Sequence, residues 1–255
     1  MNIDWDAREY SRAFSFVPQY GEEVLKLLDT GTANTVVDLG CGNGRLTMRL
    51  AEMGMRAIGI DASEDMLAIA RSSYPELEFV QSDALDFTVQ KPVDAVFSNA
   101  VFHWIDKDKQ PLLLKQINRA LKAGGELVCE FGGKGCAAQV HEALRLNFEK
   151  AGMKYFIPFY FPSIGEYAVL LEKAGFRVVY ALLFDRPTIC SYGESGLRKW
   201  IRMFDKIPFR TVDAKTENDI LAGTEHTLRS RLFQSGNWRI DYVRIKLKAI
   251  KEYDI

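Results

Sequence analysis

The chain has 255 residues, 47% of them hydrophobic and 26% charged, with 33 Lys and Arg against 34 Asp and Glu. That length can bury one large core without a metal or disulfide staple, and the even charge balance, with no Lys/Arg-rich run, argues against a nucleic-acid partner. A charged and aromatic start, no apolar run near ~18 residues, and no C-x-x-C or histidine pair around Cys41, Cys129, Cys136 and Cys190 predict a cytoplasmic protein with no membrane span, no metal and no disulfide framework.

In chain order, residues 1–33 are expected to be helical. From residue 34, short apolar runs alternate with helical patterns at the spacing of βα units. Strands are predicted at Thr35–Leu39, Arg56–Ile60, Glu78–Gln81, Val93–Ser98 and Glu126–Phe131, with helices at 45–54, 63–73 and 109–124 between them. Ser63, just before the second helix, is its expected cap. Beyond residue 132, helices are predicted near 137–151, 164–174, 194–205 and 213–233. An apolar run at 177–184 and the alternating "WRIDYVRIKLKAI" at 238–250 read as two more strands, the second half-exposed, and the tail is able to complete the sheet with an antiparallel edge pair. No internal repeat or low-complexity linker divides the chain, so a single domain is expected.

The loop "GCGNG" (40–44) follows the first strand and opens a helix, where open α/β sheets bind ligands. Alone, it fits a simple turn, a dinucleotide or another nucleoside. The spacing is G-x-G-x-G, with Arg45 where the third glycine of a dinucleotide fingerprint would fall, and no triphosphate-binding loop occurs. Asp38 stands two residues before the loop, a poor neighbour for pyrophosphate and a good one for an ammonium group. Asp61 ends the second strand, where a carboxylate accepts from a ribose diol, and Asp83 follows the third, where it could accept from an adenine amine. One acid at each of the first three strand ends describes a nucleoside with a cationic amino-acid tail.

"VVDLGCGNG", "GIDAS", "QSDALDF" and "LKAGGELV" resemble successive motifs of the class I S-adenosylmethionine-dependent methyltransferases, over residues 34–131. The resemblance implies a Rossmann-like, seven-stranded, mostly parallel sheet with an antiparallel edge strand and a helical cap. It implies an N-terminal lid at 1–33, a core at 34–185, a cap insertion at 186–236 and a last edge strand at 237–255. It places Asp38, Gly40, Gly42 and Gly44 around the methionine moiety, Asp61 on the ribose, and Asp83 with Ala84 at the adenine. Cys41, Asn43, Ala62 and Met66 are expected beside them, with Asn99 and Ala100 near the sulfonium, where the fourth strand ends. "WDAREY", "FSNAVFHWI" and "EFGGKGC" are similar to the group of trans-aconitate and malonyl-carrier-protein methyltransferases, with Cys136 where asparagine commonly stands and "HW" where "QW" does.

Methyl transfer is an in-line displacement at an activated carbon, so alignment and water exclusion are the protein's main tasks. A carboxylate acceptor needs no base, whereas an amine, hydroxyl or carbon acid does. His103, in "SNAVFHWID", is the candidate base, against the plainer reading of a histidine that packs beside the cofactor. Tyr10 and Trp104 are candidates for the acceptor pocket, each against a core role; Phe14 and Tyr20 would share the lid with Tyr10. Arg12, Arg45, Arg186, Arg198 and Arg202 are candidates to grip an acid, at least one of them facing the pocket. The stripe "YFIPFYF" (155–161) either walls an apolar pocket or forms a structural cluster. His141 and His226 are taken as structural or surface residues. The expectation is a small-molecule methyltransferase, preferably acting on a carboxylic acid. The alternatives are an amine, phenol or RNA acceptor, a cofactor-binding protein without turnover, and, least favoured, an NAD-dependent oxidoreductase.

Overall fold

Burial explains the strand pattern of the N-terminal half. β1 (Thr35–Leu39) is covered on both faces, with Val37 and Leu39 in one apolar cluster and Val36 in another, so its sequence runs apolar instead of alternating. The computed structural model, which describes residues 16–31 and 34–253, starts with α1 (Phe16–Leu25). After β1 come α2 (Arg45–Glu52), β2 (Arg56–Asp61), α3 (Glu64–Ser73), β3 (Glu78–Gln81), β4 (Val93–Asn99), α4 (Gln110–Ala120) and β5 (Leu121–Gly132). α5 (Ala138–Lys150), α6 (Ile164–Lys173), β6 (Phe176–Asp185), β7 (Thr188–Ile189) and α7 (Gly196–Phe204) follow. α8 (Ala214–Leu232), β8 (Phe233–Gln234), β9 (Asn237–Ile240) and β10 (Val243–Lys251) complete the described chain.

The main sheet has seven strands in the order β3-β2-β1-β4-β5-β10-β6. β10 runs antiparallel to both of its neighbours, and the other pairings are parallel. The chain winds outward from β1 to β3 and then returns to lay β4 on the other side of β1. That reversal leaves a crevice at the carboxyl ends of β1 and β4.

Local chemistry sets the helix starts. Ser63 caps α3 as expected, its Oγ accepting from Met66 N at 3.3 Å. Ser163 and Glu166 form a reciprocal capping box on α6.

Four expectations change. The last strand is not at the edge: β10 is inserted between β5 and β6, and β6 forms the rim. The stretch 238–250 is two strands, β9 pairing with β7 and β8 in a separate three-stranded sheet before β10 enters the main one. The polar positions of β10 are not solvated; Arg244, Lys246 and Lys248 face Glu130 and Glu126 within the sheet layer. The helical cap is present, but its apolar core draws on α5 and β9 as well as α7 and α8 and so reaches outside residues 186–236.

α1 packs over the sheet through Val24 and Leu25, next to Leu46 and Leu50 of α2. A Cβ on Gly21 would lie 3.1 Å from Asn99 Nδ2, so this helix passes directly over the end of β4. Among the described residues no helix is long and apolar enough to cross a membrane.

Candidate active site

The glycine loop rises from β1 into the crevice, held to β2 by Gly40 N and Cys41 N, both donating to Ile60 O. Gly40 (φ 77°) and Gly42 (φ 56°) lie in the left-handed region, where a side chain is strained. Their surroundings differ. A Cβ on Gly40 would collide with Val101 at 2.2 Å, whereas at Gly42 the nearest atom is Met66 Cε at 3.1 Å, so only the middle of the loop keeps an open face. Gly40, Gly42 and Asn43 are part-exposed there, while Cys41 and Gly44 turn inward.

The three acids hold distinct positions. Asp61 is part-exposed at the end of β2; its Oδ2 accepts from Gly42 N at 2.8 Å and its Oδ1 from Ser63 N at 2.9 Å. Burial raises its pKa, offset in part by those two N–H groups. Asp83, also part-exposed, accepts from Leu85 N at 2.9 Å, while Ala84 beside it is in the core. Asp38 is the surprise, at 1% exposure. Its Oδ2 accepts from Thr47 Oγ1 at 2.7 Å, and burial pushes its pKa up to about 7. That bond ties its carboxylate to α2 beneath the loop. Met66 lies beneath the loop, and Ala62, part-exposed, follows Asp61.

β4 ends at Asn99. Ala100 follows with φ 63°, a conformation unusual for alanine, held by its N–H on Glu130 O at 2.7 Å and by Trp104 Nε1 on its own carbonyl at 3.1 Å. From this kink a cleft of about 650 Å³, including its open mouth, leads under the cap. Trp104, Phe159, Phe161, Trp200 and Phe204 form its apolar wall. Trp104 meets Phe159 edge-on, with ring centroids 4.8 Å apart. The aromatic stripe thus divides: Phe159 and Phe161 line the cleft, Tyr160 joins the main core, and Phe156 and Ile157 are exposed. Gly132 gives Phe161 its room, since a Cβ there would lie 2.4 Å from the ring.

The opposite wall is charged. Glu130, with a fully buried side chain, receives Arg186 Nη1 at 2.5 Å and Nη2 at 3.0 Å, Arg244 Nε at 3.3 Å, and Lys246 Nζ at 3.7 Å. Arg186 is further held between the rings of Tyr20 and Phe184, at 4.5 and 4.8 Å from their centroids. Three cations on one carboxylate leave this wall positive.

His103 lines the cleft but is only 8% exposed, and its Nδ1 accepts from Gly132 N at 3.3 Å. Its proton therefore sits on Nε2. Burial, reinforced by Arg244, holds its pKa well below 6.5. Of the candidate arginines, Arg186 faces the cleft; Arg45, Arg198 and Arg202 pair with Glu22, Glu225 and Glu217 elsewhere. Tyr10, Phe14 and Arg12 lie outside the described residues. Sequence reasoning missed Glu130, Tyr242 and Arg244. The facing strands "ELVCE" and "YVRIKLK" carried a signal, since Glu130 stands opposite Lys246 in antiparallel register, with Arg244 and Lys248 two residues to either side.

A methyltransferase-domain profile matches residues 36–125. An uncharacterized methyltransferase of Schizosaccharomyces pombe is 31% identical over 97% of this chain and 98% of its own length. A trans-aconitate 2-methyltransferase of Azoarcus is 34% identical over 49% of this chain and 50% of its own length, so the likeness spans half of that protein. Among solved structures, a candidate methyltransferase from Bacillus halodurans aligns with a TM-score of 0.65 at 16% identity, over 92% of this chain and all of that one, which is a likeness of fold.

Proposed function

The chain belongs to the class I S-adenosylmethionine-dependent methyltransferases, and from that premise we propose that it methylates a carboxylate of a small organic acid in the cleft beyond Ala100. One observation carries the choice of acceptor: among the described residues, none that lines the cleft is a base ready to take a proton. His103 keeps its proton on Nε2 and its Nδ1 on a backbone N–H. Glu130 is committed to three cations. Tyr242 and Cys136 are pushed up by burial, the thiol to about 11. An acceptor that is already an anion fits such a wall, and a carboxylate is one at neutral pH.

The residues of the crevice fit the cofactor. Asp61 is an acceptor-only carboxylate, part-open, suited to the two donors of a ribose diol, and Asp83, part-open too, suits an adenine amine. The open face at Gly42 and Asn43 lets backbone approach the methionine end, and Asn99 and Ala100 border the reacting centre. Bound S-adenosylmethionine supplies a methyl group activated by its sulfonium. The chain's own part is to align that group with the acceptor and keep water out. α1 above Asn99 and the aromatic wall serve the second task, and the cationic wall serves the first. His103 Nε2–H then acts as a donor beside the acceptor and moves no proton.

Incubation with methyl-labelled S-adenosylmethionine and a panel of organic acids, amines, phenols and RNA tests this reading. trans-Aconitate is the first acid to try, given the name of the half-length relative. A base-labile methyl ester on an acid is expected. Label on amine, phenol or RNA alone refutes the acceptor, and cofactor binding with no transfer identifies a protein that holds S-adenosylmethionine without turnover.

A further inference from the structure

Two side chains in the charged wall keep donors that meet no acceptor among the described residues. Arg244 is 8% exposed, and of its guanidinium only Nε is engaged, on Glu130 Oε1. Its terminal Nη1 and Nη2 make no hydrogen bond with any described residue, and the side chain lines the cleft, so they are available to a ligand there. Tyr242, two residues earlier, shows the same economy of partners. Trp200 Nε1 lies 2.5 Å from its hydroxyl, and an indole can only donate, so the Tyr242 oxygen accepts. The Tyr242 proton is then left over, and burial keeps it on the oxygen. Both side chains line the cleft next to Arg186, whose backbone N–H donates to Tyr242 O at 2.7 Å.

We propose that the terminal fork of Arg244 and the hydroxyl of Tyr242 form the seat for a carboxylate of the acceptor, with Glu130 as the positioning residue that orients the fork. The inference rests on the acid-acceptor reading and deepens it to named contacts. A guanidinium fork matches the two oxygens of a carboxylate in one plane, and the hydroxyl supplies a third donor. Glu130 takes the Nε edge of Arg244 and so turns the other edge outward. Its own chain placement puts the seat beside the reacting centre: Glu130 pairs with Asn99 in the sheet, and its carbonyl holds Ala100. Trp200 fixes the Tyr242 hydroxyl, which keeps the third donor in place.

The test compares Arg244→Lys, which keeps the charge and loses the fork, with Tyr242→Phe, which removes one oxygen and keeps the ring. For an acid that the wild-type protein methylates, KM is expected to rise about tenfold or more in Arg244→Lys and several-fold in Tyr242→Phe, with S-adenosylmethionine affinity unchanged by calorimetry. Acid binding is also read without turnover, from quenching of Trp104 and Trp200 fluorescence by trans-aconitate, and should weaken in parallel. Unchanged KM and unchanged quenching in both variants overturn the seat. So does equal loss of acid and cofactor binding, which marks a general packing role. A wild-type protein that methylates no acid refutes the functional reading instead, and the quenching titration still decides whether Arg244 and Tyr242 hold a carboxylate.

Discussion

The crevice and the cleft adjoin at Ala100, yet they are assembled in opposite ways. The crevice takes its residues in chain order from successive strand ends: the loop after β1, Asp61 at the end of β2, Asp83 after β3, Asn99 at the end of β4. The cleft collects Trp104, Glu130, Phe159, Arg186, Trp200 and Arg244 from a short 3₁₀ turn, two strands, two loops and a cap helix. A binding surface built along the chain can be varied only by changing the strand ends themselves. One built by convergence can be altered from many elements while the crevice stays as it is, which suits a shared donor and a changeable acceptor.

Glu130 tests the comparison most severely, because it stands in the sheet and serves the cleft. Glu130→Ala leaves Arg186, Arg244 and Lys246 without their buried anion, at a cost of about 3–5 kcal/mol in urea unfolding. The Glu130→Gln variant, if it melts near the wild type, is expected to raise the acid KM and leave cofactor affinity alone. Asp61→Ala comes next: it removes a ribose acceptor and orphans the N–H groups of Gly42 and Ser63, weakening S-adenosylmethionine binding by about 2–3 kcal/mol in calorimetry. An acid KM that rises by the same factor would mean that the two regions are not separable.

Asp38→Asn has a smaller effect and an opposite sign. Because the folded-state pKa of Asp38 is raised to about 7, its contribution favours folding below its ordinary value near 4 and is lost as pH rises to 7. The amide can still accept from Thr47, so the variant should melt a few degrees above wild type at pH 8 and level with it at pH 4. A gain that is the same at both pH values would show that the Asp38 charge is not the cause. His103→Gln is expected to change least. With the His103 pKa held well below 6.5, no limb of the rate profile between pH 7 and 9 belongs to it, and kcat should stay within about threefold of wild type. A hundredfold fall in kcat would make His103 a base and break the carboxylate reading.

The sequence by itself determined the sheet's N-terminal half, the loop conformation and the order of the acids. Those follow from apolar runs, glycine positions and caps, which report a residue's neighbours along the chain. Even there spacing placed Asp38 beside the loop without saying how deeply it is buried or what holds it; Thr47, nine residues on, decided that. The alternation of β10 was legible as a strand but not as a buried one, because the acids that cover its bases, Glu126 and Glu130, come from a strand more than a hundred residues away. What the cap packs against was hidden for the same reason: α5 and β9 supply apolar faces to the cluster that α7 and α8 enter. Tertiary structure alone decided that Arg186 and Arg244 share one buried carboxylate, that Trp200 turns the proton of Tyr242 away from itself, and that Phe159 and Phe161 face inward while Phe156 does not. Side-chain convergence depends on how separate elements are stacked, and no local period or spacing encodes it.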